Sequence, residues 1–144
     1  MTDITIEKIT TAADLEKCFQ IRTIVFVEEQ HVAQDEEIDG LDPQADQYLL
    51  SVDGAPTATA RVRYVDGLAK IERVAVLKTR RGLNIGRKLM EFMIADIKAQ
   101  AQVSTLKLGA QIQVVGFYQQ LGFQEYGDEF LDAGIRHKWM KRTI

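Results

Sequence analysis

Apolar and polar positions along this 144-residue chain change their period several times. Ile4 to Ile9 alternates between the two, the period of a strand with one wet face. Thr11 then offers a side-chain oxygen for a helix N-terminus. Leu15, Phe19, Ile24 and Phe26 follow at helical spacing and predict a helix over residues 12–27. His31 to Asp46 is acidic and turn-rich with no sustained period, and reads as a loop or lid. Three strand-like runs come next, Gln47 to Val52, Ala58 to Tyr64 and Ala69 to Val76, separated by Asp53-Gly54 and Asp66-Gly67, the dipeptides of tight hairpins. From Asn84 to Ala101 the apolar residues Ile85, Leu89, Met90, Met93, Ile94 and Ile97 recur every three or four positions, predicting a long amphipathic helix. Thr105 to Ala110 is a further strand and Val114 to Leu121 a short helix stopped by Gly122. Gly122 to Tyr126 and Ile135 to Lys141 are two last strands.

This order predicts an α/β (α+β) fold, a mixed and mainly antiparallel sheet of six to seven strands flanked by helices. The strand–long helix–strand succession in its middle forms a central β-α-β crossover, which makes part of the sheet parallel. No internal repeat or Pro/Gly/Ser-rich linker interrupts residues 1–144, and the only prolines are Pro43 and Pro56, so one domain is expected. A 46% hydrophobic content suffices for one core.

Charge and composition narrow the function. The formal net charge of −3 argues against a nucleic-acid partner. The polar N-terminus and the lack of a long apolar run lead us to expect a cytoplasmic protein without membrane association. Cys18 lies in a helical pattern, where a small buried thiol is the ordinary reading and a nucleophile the sharper one. With His31 and His137 as the only histidines, no zinc-site pattern forms, and no metal is expected. Neither Ser51 nor Ser104 occupies the Gly-x-Ser-x-Gly elbow of a serine hydrolase.

The most informative segment runs from Val74 to Met90, where a strand feeds a basic, glycine-bearing turn that opens onto the long helix. The first turn of a helix leaves N–H groups without partners and carries the positive end of the helix dipole, so it suits an anion such as a pyrophosphate. Gly82 and Gly86 admit a close backbone approach, and Arg80, Arg81 and Arg87 supply charge. The Gly-Lys-Ser/Thr of a kinase-type loop and the three glycines of a dinucleotide fingerprint are both missing.

Arg81-Gly-Leu-Asn-Ile-Gly resembles the Arg/Gln-x-x-Gly-x-Gly/Ala turn of GNAT-superfamily N-acetyltransferases, with Asn84 in place of the usual first glycine. Asparagine tolerates positive φ better than most residues. Downstream, Phe117-Tyr-Gln-Gln-Leu-Gly-Phe resembles the family's Phe-Tyr-x-x-x-Gly-Phe segment. Upstream, Arg22-Thr-Ile-Val-Phe-Val-Glu-Glu-Gln resembles the Arg-x-x-Val-Phe-x-x-Glu-Gln signature of its ElaA-like branch. The resemblance implies a GNAT-like fold, acetyl-CoA (coenzyme A) as co-substrate, and direct acetyl transfer to a primary amine on a small molecule or peptide. Its alternative is a non-catalytic coenzyme A or acyl-CoA binding module.

The resemblance also implies site residues. Val74, Ala75 and Val76 would hold pantetheine and the thioester oxygen. Arg81, Gly82, Leu83, Asn84, Ile85, Gly86 and Arg87 would hold the pyrophosphate. Tyr118 would lie by the sulfur and protonate the leaving thiolate. Glu72 and His137 compete for the role of general base, with water as the third possibility. Arg22, Glu29 and Gln30 would line the acceptor side or, alternatively, form a charge network fixing the first helix to the sheet. The acids from Asp35 to Asp42 would draw in a cationic amine or merely face solvent. A homodimer is the default expectation for a protein of this kind.

Overall fold

The computed structural model describes residues 2–144. One seven-stranded sheet runs through them in the order β1-β2-β3-β4-β5-β7-β6. The first four strands form an antiparallel meander: β1 (Ile4–Lys8), β2 (Asp46–Val52), β3 (Ala55–Val65) and β4 (Leu68–Val76). Asp53-Gly54 and Asp66-Gly67 take positive φ at both positions, the backbone that matches a two-residue turn to the strands' own twist. After the long helix the chain enters β5 (Thr105–Gln111) beside β4 and parallel to it, the one parallel pairing in the sheet. The last hairpin, β6 (Gln124–Asp132) and β7 (Ile135–Thr143), is antiparallel and joins β5 through β7.

The two faces of the sheet are covered differently. Helix α3 (Ile85–Gln100) buries Ile85, Leu89, Met90, Met93, Ile94 and Ile97, the six positions its periodicity marks, against Leu50, Val62, Ile71, Leu106 and Met140. Helix α1 (Ala12–Arg22) covers the other face with a smaller apolar set, Cys18, Ile21, Val25, Leu49 and Ala75. Thr11 caps α1 by accepting from the Asp14 amide at 3.2 Å, as the sequence predicts. Cys18 is fully enclosed, and burial pushes its thiol pKa up.

Three local expectations change. The first helix does not end at Val27 but continues as a π-helical turn over Thr23–Glu29, closed by Gln30 N–H donating to the Val25 carbonyl at 3.1 Å. The stretch read as a loop contains the four-residue helix α2 (Gln34–Glu37) and a 3₁₀ turn at Asp42–Gln44. Strand β6 runs well past Tyr126, because the register shift between Tyr126 and Phe130, with Gly127 at φ +71°, absorbs the turn-like Gly-Asp pair as a bulge.

Candidate active site

The parallel pairing of β4 with β5 is short. It joins Ala69 to Leu106, Lys70 to Lys107 and Ile71 to Leu108, and then ends, although β4 continues to Val76 and β5 to Gln111. Each strand keeps its other neighbour, β3 or β7, so the two diverge and open a wedge in the sheet. The wedge is a cavity of about 890 Å³. Along its β4 wall, the Leu77 amide donates to the Thr57 carbonyl of β3 at 3.0 Å. Peptide groups alternate in direction along a strand, so those of Val76 and Val74 point the opposite way, into the wedge. The Val76 carbonyl indeed accepts from Arg81 Nε at 2.9 Å.

The mouth of the wedge is the turn before α3. Asn84 stands at φ +62° and ψ 17°, the left-handed conformation asparagine tolerates, and its carbonyl accepts the first helical bond, from Lys88, at 3.0 Å. The amides of residues 82–87 find no acceptor among the described residues, which leaves six consecutive N–H groups at the positive end of a sixteen-residue helix. Gly86 keeps the helix start close to its neighbours, since a Cβ there would lie 3.3 Å from Phe117 Cζ and 3.6 Å from Val76 Cγ2. Arg80 and Arg87 line the same end of the cavity.

On the far wall, α4 (Val115–Gln120) and strands β5 and β7 place the aromatic and titratable groups. Tyr118 lines the cavity at 7% exposure, and burial alone lifts its phenol well above the ordinary tyrosine range, so it stays protonated. His137 is held by Nδ1, 2.7 Å from the Ile135 carbonyl; a carbonyl only accepts, so Nδ1 is the donor, and in the neutral imidazole Nε2 is then the nitrogen with the lone pair. The imidazole stacks on Phe130, which also stacks on Trp139 with ring centroids 4.3 Å apart. This shelf depends on Gly109, where a Cβ would come within 3.0 Å of Phe130.

Glu72 is differently placed. Three cations hold its carboxylate: Arg63 at 2.7 Å, Arg61 at 3.1 Å and Lys70 at 3.4 Å. Burial works to raise its pKa, but the hydrogen bond from Arg63 and the charges of Arg61 and Lys70 outweigh it and hold the group below the usual carboxylate range.

Most of the residues named from the sequence meet at this one cavity: Val74, Ala75, Val76, Arg81, Gly82, Asn84, Ile85, Gly86, Arg87, Tyr118, Glu72, His137, Glu29 and Gln30. The Leu83 side chain does not; it points to solvent at 56% exposure and only its amide belongs to the turn. Arg22 is a correction. It is fully buried, with Nε 2.6 Å from Glu37 and Nη1 2.6 Å from Asp42, and its donors are spent on these acids instead of facing an acceptor. The same holds for the acids of the 35–42 stretch that do not face solvent. Asp42 also pairs with Arg61 at 3.1 Å; Asp39, itself on the exposed rim, lies 2.6 Å from Arg61 and 3.3 Å from Arg73. Sequence reasoning missed Arg61, fully buried in β3, and the Phe130–Trp139 shelf. An arginine alternating with Thr57 and Thr59 along a buried strand was the available signal.

Residues 13–144 match the family described as "Acetyltransferase (GNAT) domain". The chain is 36% identical to "Uncharacterized N-acetyltransferase YjcF" of Bacillus subtilis (strain 168), over 89% of this chain and 91% of that protein. Among solved structures it superimposes on an acyl-CoA N-acyltransferase from Pseudomonas aeruginosa with TM-score 0.83 and 30% identity, and on Escherichia coli ElaA with TM-score 0.85 and 27% identity. Both alignments cover 99% of each chain. A sheet split beside a helix-capping basic turn, on a chain matched almost end to end, makes this protein an acyltransferase of the GNAT acetyltransferase family.

Proposed function

We propose that the wedge binds acetyl-coenzyme A and that the protein transfers the acetyl group directly to a primary amine. The observation that carries this reading is the row of six unpartnered amides over residues 82–87, continuous with the free edge of β4. An anion of pyrophosphate size satisfies such a row, and Arg80 and Arg87 add charge beside it. Acetyl-coenzyme A supplies the activated acetyl thioester. The Val74 peptide group and the Val76 N–H are left to bond a pantetheine arm, the Val76 carbonyl being taken by Arg81, and an N–H on this edge suits the thioester oxygen. Tyr118 keeps its proton and no acceptor among the described residues takes it, which fits a donor to the departing sulfur.

For the base, the free Nε2 of His137 favours that residue over Glu72, which three cations keep weakly basic. In this reading Gln30, which accepts from Gln111 at 2.8 Å, lines the acceptor side, whereas Glu29 is paired with Arg81 at the turn before α3. Acetyl-CoA mixed with the protein and a panel of amines, followed by release of free thiol, tests the proposal. Release that depends on one class of amine is expected. Tight coenzyme A binding without turnover on any amine would favour a binding module instead.

A further inference from the structure

Opposite Ala60 of β3, strand β4 carries two residues, Arg73 and Val74, so the strand bulges there. Arg73 sits at φ +56°, in the left-handed region. Glycine takes this conformation freely, whereas an arginine needs compensation from its side chain. Its guanidinium has that compensation: Nη2 donates to the Glu37 carbonyl at 3.0 Å, to the Glu36 carbonyl at 3.3 Å and to Asp39 at 3.3 Å. The Glu37 carboxylate is 3% exposed and stands between two arginines, 2.6 Å from Arg22 Nε and 3.4 Å from Arg73 Nε. A continuous line of charge therefore runs from α1, through α2, to the bulge. The bulge in turn sets the direction of the Val74 N–H at the wall of the wedge.

We propose that Glu37 is a positioning residue: by holding Arg73 against the end of α1, it fixes the bulge so that the Val74 N–H meets the carbonyl oxygen of the bound acyl thioester. This rests on the acetyl-CoA reading above. Glu37 engages Arg22 and Arg73 alike, each through both its carboxylate and its carbonyl, and so joins the end of α1 to the bulge.

The test compares Glu37→Gln and Arg73→Gly with the native chain by calorimetric titration of coenzyme A, acetyl-CoA and the thioether S-ethyl-coenzyme A, which lacks the carbonyl. The native chain should prefer acetyl-CoA to the thioether by about three- to tenfold, the effect of one net hydrogen bond, and the Val74 amide resonance should move only with the thioester. Both variants should lose most of that preference while keeping coenzyme A affinity within about twofold, far below the effect of losing a charged contact. Arg73→Gly, whose residue suits the backbone, carries the test if Glu37→Gln does not fold. A preserved preference in the folded variants would overturn the positioning role alone. Failure of the native chain to bind coenzyme A would overturn the cofactor reading, and the positioning role with it.

Discussion

Glu29 and Arg81 form a two-point ion pair, Oε2 to Nη1 at 2.5 Å and Oε1 to Nη2 at 2.7 Å, that ties the end of the first helix to the turn before α3. With Arg81 Nε on the Val76 carbonyl, all three of its nitrogens are engaged within the protein. Arg81 thus clips the turn to both walls, and an anionic ligand would meet Arg80 together with Arg87, whose own partner is the exposed Glu91 at 2.8 Å. Glu29 would place a negative charge beside such a ligand.

It follows that Glu29→Gln should tighten coenzyme A binding, by about threefold at low ionic strength, since the pair is partly exposed and worth little in itself. The gain should shrink as salt is added. Calorimetry at two salt concentrations decides it; weaker binding would mean that the clip matters more for shape than for charge.

Tyr118→Phe removes the one proton that the buried phenol can give. Turnover should fall about 100-fold or more, with coenzyme A affinity nearly unchanged. Turnover equal to the native rate would end the leaving-group assignment.

Gly86→Leu drives a side chain into Phe117 and Val76, where even a Cβ has contacts of 3.3 and 3.6 Å. The start of α3 must shift, at a cost of about 1–3 kcal/mol in stability. The thermal shift given by coenzyme A should vanish, and a variant that melts lower yet still responds fully to coenzyme A would remove the pyrophosphate from this turn.

Arg22→Met leaves Glu37 and Asp42 buried with fewer counter-charges. Loss of one partner from a buried pair costs about 3–5 kcal/mol, which urea denaturation will register. A loss below about 1 kcal/mol, as for a surface pair, would contradict the burial seen here.

Acid should dismantle the same network. For Asp42 and Glu72, burial tends to raise the pKa, but the arginine partners prevail and the folded values lie below the ordinary ones. A depressed carboxyl contributes stability that is present above its unfolded pKa, about 3.9 for Asp and 4.3 for Glu, and is lost as pH falls through the folded value. The melting temperature should therefore hold steady between about pH 7 and 5 and drop steeply below about pH 4. A melting temperature unchanged into strong acid would show that these pairs contribute nothing.

Periodicity made the α3 face and the hairpin turns legible, because one-sided burial and positive-φ turns leave local marks in the sequence. The geometry of the turn from Arg81 to Gly86 was legible for the same reason, its residues being consecutive. The partners of Arg22 were not, since Glu37 and Asp42 lie fifteen and twenty residues away and belong to a stretch whose acidity looked solvent-facing. The π-helical turn was also hidden: Val25 and Phe26 keep a helical spacing whichever hydrogen-bond ring closes. Nor could Arg73 be recognised as the bulge residue, because only the register of β3 against β4 reveals it.

The three residue pairs that join β4 to β5 have a mechanical consequence. They are a seam between two half-sheets, each internally laddered, with α3 as the covalent strap across them. A ligand in the wedge touches both halves, so its binding energy is realised only while they stay together. Cut within the loop after α3 and expressed as two fragments, the protein should reassemble more readily with coenzyme A than without it, which would make the seam a reporter of its own ligand.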